Sequence, residues 1–146
     1  MNLAASEGGR EKMSQWFDIW DVRDFSNREG LQAEGLKDSV TRIRKIIHDE
    51  AKALGEEGYE RIVLAGISQG GAVSVHTLLN LELPPGRHLG ALLGFSCRML
   101  FSGRGLGETR GVLGLEDTPG FVLFSYLCWG VKGAGPRALL LCFANC

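Results

Sequence analysis

No aspartate or glutamate follows Asp117, and no histidine follows His88, in a chain of 146 residues. Residues 119–146 carry only Lys132 and Arg137 as charges, so the preceding 118 residues hold −3 of a total of −1. So even a balance gives no reason to expect nucleic acid or an anionic membrane as partner. Cys97, Cys128, Cys142 and Cys146 form no C-x-x-C pair, and no histidine lies near the last three, so no metal site is expected. Cys142 and Cys146, four apart, could meet on one helical face, but two thiols do not make a metal site, and free thiols of a reducing compartment are the plain reading. Residues 1–15 are polar and lack the apolar stretch of a secretory signal. No apolar run reaches the ~18 residues of a membrane span. A cytoplasmic protein is the expectation. The glycine-rich stretch 103–114 contains no G-x-x-x-x-G-K-[ST] and no strand leads into a G-x-G-x-x-G, so it is read as a loop with a weak helix near 108–115. No cofactor is expected.

What is present reads as one domain. Hydrophobic residues make up 45% and charged residues 23%, an ordinary globular balance. Trp16-Phe17-Asp18-Ile19-Trp20-Asp21-Val22 is aromatic and β-branched and reads as a short strand or extended segment. Leu36, Val40, Ile43, Ile47, Ala51 and Leu54 recur at the spacing of one helical face and predict a helix over 36–54, closed by Gly55 and Gly58. His48, among Lys45, Asp49 and Glu50, is expected to be solvated. Ile62-Val63-Leu64-Ala65 lacks polar alternation and suits a strand buried on both faces of a parallel sheet. A second helix is predicted over 69–80, ended by Pro84-Pro85-Gly86. His76 is read as a residue of that helix bordering the core. Residues 90–96 read as another buried strand, and helix, strand, helix, strand with short connections is α/β patterning. Three units follow: a polar segment over 1–15, an α/β domain over 16–118, and an apolar, cysteine-containing tail over 119–146. Within the tail, residues 121–127 are read as one more buried strand.

Gly66-x-Ser68-x-Gly70 falls where the strand meets the second helix. A tight strand-to-helix turn puts a serine in a strained conformation, and glycines two before and two after relieve the crowding. The helix N-terminus then aims the Gln69 backbone N–H at the oxyanion of a tetrahedral intermediate. Gly71 is expected to let the helix pack closely on the strand. A serine hydroxyl needs a base and a group to orient that base, and neither is local to this turn.

Gly66-Ile67-Ser68-Gln69-Gly70-Gly71-Ala72 resembles the G-F-S-Q-G-G-A signature of the acyl-protein thioesterase and carboxylesterase family of α/β-hydrolases. Trp16-Phe17-Asp18-Ile19 resembles its W-F-D-I segment, and Gly94-Phe95-Ser96-Cys97 resembles the strand end that follows the nucleophile helix. The likeness covers roughly residues 13–118. It implies a partial α/β-hydrolase fold, a mostly parallel sheet flanked by helices. It also implies hydrolysis of acyl esters or S-acylated proteins. Ser68 is carried over as nucleophile, the Gln69 backbone as half of the oxyanion hole, and Gly66, Gly70 and Gly71 as the glycines of the elbow.

Three departures accompany the resemblance. The family's H-G-x-G-type loop, which supplies the second oxyanion N–H, has no match before Trp16, and Gly8-Gly9 is no substitute. Leu100 stands where the family usually has proline. In this fold the triad runs serine, acid, histidine along the chain. After Ser68 the acids are Glu82, Glu108, Glu116 and Asp117 and the histidines are His76 and His88, so no histidine follows the later acids. No triad aspartate or histidine is identified. Thr118-Pro119 resembles the lead-in to the family's next strand, and beyond it unrelated sequence is expected, as a truncated product, retained intron or shifted frame would give. Two readings result: a serine esterase or thioesterase acting through Ser68, or an inactive fragment with at most a binding role. A non-hydrolase α/β binding domain would leave Gln69 and Gly71 without a purpose.

Overall fold

The apolar face of the long helix runs unbroken for five turns. The computed structural model describes residues 2–5, 12–21, 24, 26–115 and 139–143. Within it α1 spans Gln32–Leu54, and Leu36, Val40, Ile43, Ile47 and Ala51 are each no more than 4% exposed. Burying each of the larger side chains contributes about 1.5–3 kcal/mol. The helix starts four residues before the apolar spacing does, because a 3-10 turn over Glu29–Leu31 feeds straight into it. Gln32, polar yet fully buried, hides that start from a hydrophobic pattern. Gly55, at φ +78°, ends the helix, and Gly58 then passes under it so closely that a Cβ there would sit 2.0 Å from the Ala51 carbonyl oxygen.

A second 3-10 turn, Tyr59–Arg61, leads into β3, Ile62–Ile67, which is followed by α2, Gln69–Leu79, and β4, Ala91–Phe95. β5, Leu139–Phe143, lies on the other side of β3, so the sheet order is β4-β3-β5, parallel throughout. Two short strands, β1 (Asn2–Ala5) and β2 (Lys12–Gln15), pair antiparallel within the segment read as merely polar. Residues 16–21 follow β2 as irregular chain, not as a strand. α3, Leu106–Leu113, sits two residues ahead of the weak helix predicted near 108–115.

The tail, read as foreign to the domain, supplies β5, and Cys142 stands in that strand opposite Ala65 rather than on a helical face shared with Cys146. Residue 146 and the strand expected over 121–127 lie outside the described residues.

Ile62, Leu64 and Leu92 join the three helices in one apolar core. Because paired residues of parallel strands share a face, Leu93 and Phe95 project to the opposite side with Ile67. They are 39%, 55% and 43% exposed. β4 is therefore not the doubly buried strand expected, since the described helices all pack on the other face.

Arg110 of α3 is buried. Its Nε donates to Asn80 Oδ1 at 3.3 Å and an η-nitrogen to the Leu79 carbonyl at 2.9 Å, while Asn80 Nδ2 donates to the His76 carbonyl at 2.7 Å. The guanidinium thus satisfies the Leu79 carbonyl, steadies Asn80 over the His76 carbonyl, and offsets the negative end of the α2 dipole. Replacing it with alanine takes this donor from the Leu79 carbonyl and from Asn80 Oδ1, and is expected to cost about 2 kcal/mol of unfolding free energy in a urea titration.

Candidate active site at the strand–helix turn

β3 ends at the C-terminal edge of the sheet, and the chain reverses there through a single residue. That residue, Ser68, has φ 54° and ψ −120°, a left-handed region that side chains rarely adopt. A non-glycine residue held there costs about 1–3 kcal/mol, so its surroundings must over-determine it. They do. The Ser68 N–H donates to the Phe95 carbonyl of β4 at 2.9 Å, and its carbonyl accepts the Ala72 N–H at 3.2 Å. The hydroxyl makes no capping bond to α2, and the residue is exposed.

The glycines explain how the turn can be so tight. A Cβ on Gly66 would lie 2.2 Å from the Gly70 carbonyl oxygen, so α2 begins directly over the strand end. Gly71 does less for strand packing than expected and more for the loop after β4. A Cβ there would meet the Cys97 Cβ at 2.5 Å, and the Gly66 oxygen only at 3.1 Å. Gly70 is buried, and its carbonyl accepts the Ser74 hydroxyl at 2.8 Å.

Gln69 opens α2, so its N–H belongs to the helix N-terminus beside Ser68. The sequence offered no hint of what its side chain does. Gln69 Oε1 accepts the Trp16 N–H at 3.2 Å, and Nε2 donates to the Phe17 carbonyl at 3.2 Å and to Gln15 Oε1 at 3.3 Å. These bonds bring the aromatic segment to the turn across more than fifty residues of chain.

Residues 3–110 match the phospholipase/carboxylesterase family. The chain belongs to that family. The match takes in the serine turn and begins upstream of the likeness legible from Met13 onward. Acyl-protein thioesterase 1 of Cryptococcus neoformans is 36% identical over 70 residues, which is 48% of this chain and 29% of that protein. Its counterpart in Mycosarcoma maydis is 38% identical over 78 residues, 49% of this chain and 32% of that protein. The counterpart in Eremothecium gossypii is 36% identical over 76 residues, 52% and 30% respectively. The chain thus spans about three-tenths of the length of these relatives. No solved structure matches it significantly.

A carboxylesterase-type serine needs a proton acceptor, and the three histidines lie elsewhere. His76 is wholly buried in α2, eight residues past Ser68, or about 12 Å along a helix. Neither ring nitrogen has a hydrogen-bonding partner among the described residues, and the ring meets Phe101 edge-on at 6.3 Å. Burial pushes its pKa down to about 4, and the adjacent Leu100 backbone opposes this only in part. Leu100 itself is buried at 2% exposure. His48 is half-buried rather than solvated, with Nδ1 2.8 Å from the Tyr59 hydroxyl. With Lys52, Tyr59 and Arg87 it borders a depression of about 320 Å³ at the N-terminal edge of the sheet. His88 is exposed in the loop leading to β4, at that same edge. Ser68 stands at the opposite edge.

The two described acids that follow Ser68 in the chain face arginines. Glu82 pairs with Arg44 at 3.2 Å, and Glu108 faces Arg104 at 3.9 Å. Glu116, Asp117 and Gly8-Gly9 lie outside the described residues. Among the described residues no cluster suited to a metal ion occurs, and no helix is long and apolar enough to cross a membrane.

Proposed function

We propose that the chain is a serine hydrolase of carboxylic esters or thioesters, with Ser68 as nucleophile and the Gln69 N–H as an oxyanion donor. The observation that carries this is the backbone of Ser68, held at φ 54° and ψ −120° between a buried strand and a helix N-terminus. Strain of this kind concentrates at functional sites. The substrate class is an acyl ester or an S-acylated protein, supported by the names of the fungal relatives. A cytoplasmic setting belongs to the same proposal.

In the reaction the Ser68 hydroxyl oxygen forms a bond to the acyl carbon, its proton passes to water, and the carbonyl π pair moves onto the acyl oxygen. The bond to the alcohol or thiol then breaks, the leaving group takes a proton, and water releases the acid from the acyl-serine. Charge on the carbonyl oxygen is held in part by the Gln69 N–H at the head of α2.

The positions of His48, His76 and His88 favour a second reading, in which the turn binds acyl ligands without turning them over. Without a general base, an oxyanion hole and binding alone leave at most ~10³–10⁴-fold acceleration over water. Intact-mass measurement after incubation with a fluorophosphonate separates the two. A single adduct on the folded wild type, absent from Ser68→Ala, is the expected result. A folded wild type that takes no adduct overturns the hydrolase reading and leaves the turn with at most a binding role.

A further inference from the structure

Gln69 is 7% exposed, and the hydrolytic scheme uses only its backbone. Its carboxamide is engaged with unusual completeness. An amide is the neutral side chain that offers an acceptor and a donor side by side in one plane, as a peptide group does. Here Oε1 takes the Trp16 N–H and Nε2 gives to the Phe17 carbonyl, both at 3.2 Å, so the side chain pairs with that backbone as a neighbouring strand would. The Trp16 carbonyl is held from the other side by the Ser39 hydroxyl of α1 at 2.5 Å. Phe17, between these anchors and the core, is fully buried.

This pairing sits at the residue next to the strained one. The Ser68 conformation persists only if both ends of the turn are fixed. Its N-terminal side is held by β3 and by the bond to Phe95; its C-terminal side is the first residue of α2. A helix N-terminus frays readily, because its first N–H groups lack intrahelical partners. A side chain tied to a separate segment resists that fraying.

We propose that Gln69 is a positioning residue: its carboxamide clamps the Trp16–Phe17 backbone against the turn and thereby fixes the direction of its own N–H, an inference that rests on reading Ser68 as the nucleophile. Glutamate keeps the shape and the acceptor and loses the donor, so it cannot replace glutamine here. Asparagine keeps both groups but falls one methylene short.

The test compares the full-length wild type with Gln69→Glu and Gln69→Asn. Fluorophosphonate labelling of Ser68 is resolved into a saturation constant and a maximal rate, and amide exchange is followed at Trp16 and Gln69. The expected result is a maximal labelling rate lowered about 10–100-fold with the saturation constant little changed. Exchange at both amides should rise roughly fivefold or more. A merely structural glutamine would lower thermal stability and leave the maximal rate of the folded fraction intact, and that outcome overturns the proposal. So does unchanged exchange at Trp16 and Gln69. If the wild type takes no label, the hydrolase reading fails by itself, and the exchange rates alone decide whether the clamp exists. Should one variant not fold, the other carries the comparison, with Ser39→Ala, which frees the Trp16 carbonyl, as the third.

Discussion

Gly66→Ala is expected to unfold the strand–helix turn and to take much of the domain's stability with it. The new methyl would stand 2.2 Å from the Gly70 carbonyl oxygen, 2.4 Å from its carbon and 2.5 Å from the Gly71 nitrogen. All three are backbone atoms of the first turn of α2, so no rotamer change relieves the contact. Either α2 lifts from β3 and loses the packing of Ala72 and Val73, or the strand end withdraws from the sheet. Overpacking against rigid backbone costs about 3 kcal/mol or more. A domain of this size has only ~5–15 kcal/mol in total. The melting temperature should fall by roughly 10 °C or more. A melting temperature within about 2 °C of wild type would show that the turn has room to spare.

His76 makes stability depend on pH in a defined direction. Its folded pKa lies at about 4, depressed by burial, against ~6.5 in an unfolded chain. Above pH ~6.5 the imidazole is neutral in both states, and it contributes no slope. Between pH ~6.5 and ~4 the unfolded state binds a proton that the native state refuses, so stability falls as pH falls, by about 1.4 kcal/mol per unit. The loss approaches about 3 kcal/mol near pH 4, where the native ring begins to protonate and the slope ends. Urea titrations at about pH 7 and about pH 5 measure it, with His76→Leu as the reference. The leucine variant should lose this part of the slope. At neutral pH it should be more stable than wild type by about 1 kcal/mol, because neither buried ring nitrogen has a partner among the described residues. Equal slopes in the two proteins would place the ring in contact with water.

Both predictions depend on contacts that differ in how far they could be foreseen. The crowding at Gly66 is written in the spacing G-x-S-x-G, since only a glycine tolerates a helix starting over it. Burial of His76 follows from its place on the apolar side of α2, though not the absence of partners for both nitrogens among the described residues. Arg110 and the Gln69 carboxamide left no trace, because each meets backbone atoms more than thirty or fifty residues away. A hydrogen bond to a carbonyl imposes no residue type on the acceptor, so nothing in the acceptor's sequence marks it. His48 illustrates the same limit: charged neighbours along the helix predicted solvent, whereas Tyr59, from the following turn, covers it.

What the chain's own order of residues determined, then, is everything that a window of a few residues can enforce. The five-turn face of α1 comes from apolar side chains three and four apart. β3 comes from four successive β-formers, and the serine turn from glycines that permit a close approach. Only the folded molecule decided which strands flank β3 and which face of β4 the described helices leave uncovered. An apolar strand carries no label for its neighbour: Leu139–Phe143 and Ala91–Phe95 present the same kind of edge to β3 and differ only in where the chain can bring them. The positions of the three histidines relative to Ser68 belong to that second class, since the reach of a side chain is a distance in space and not along the sequence.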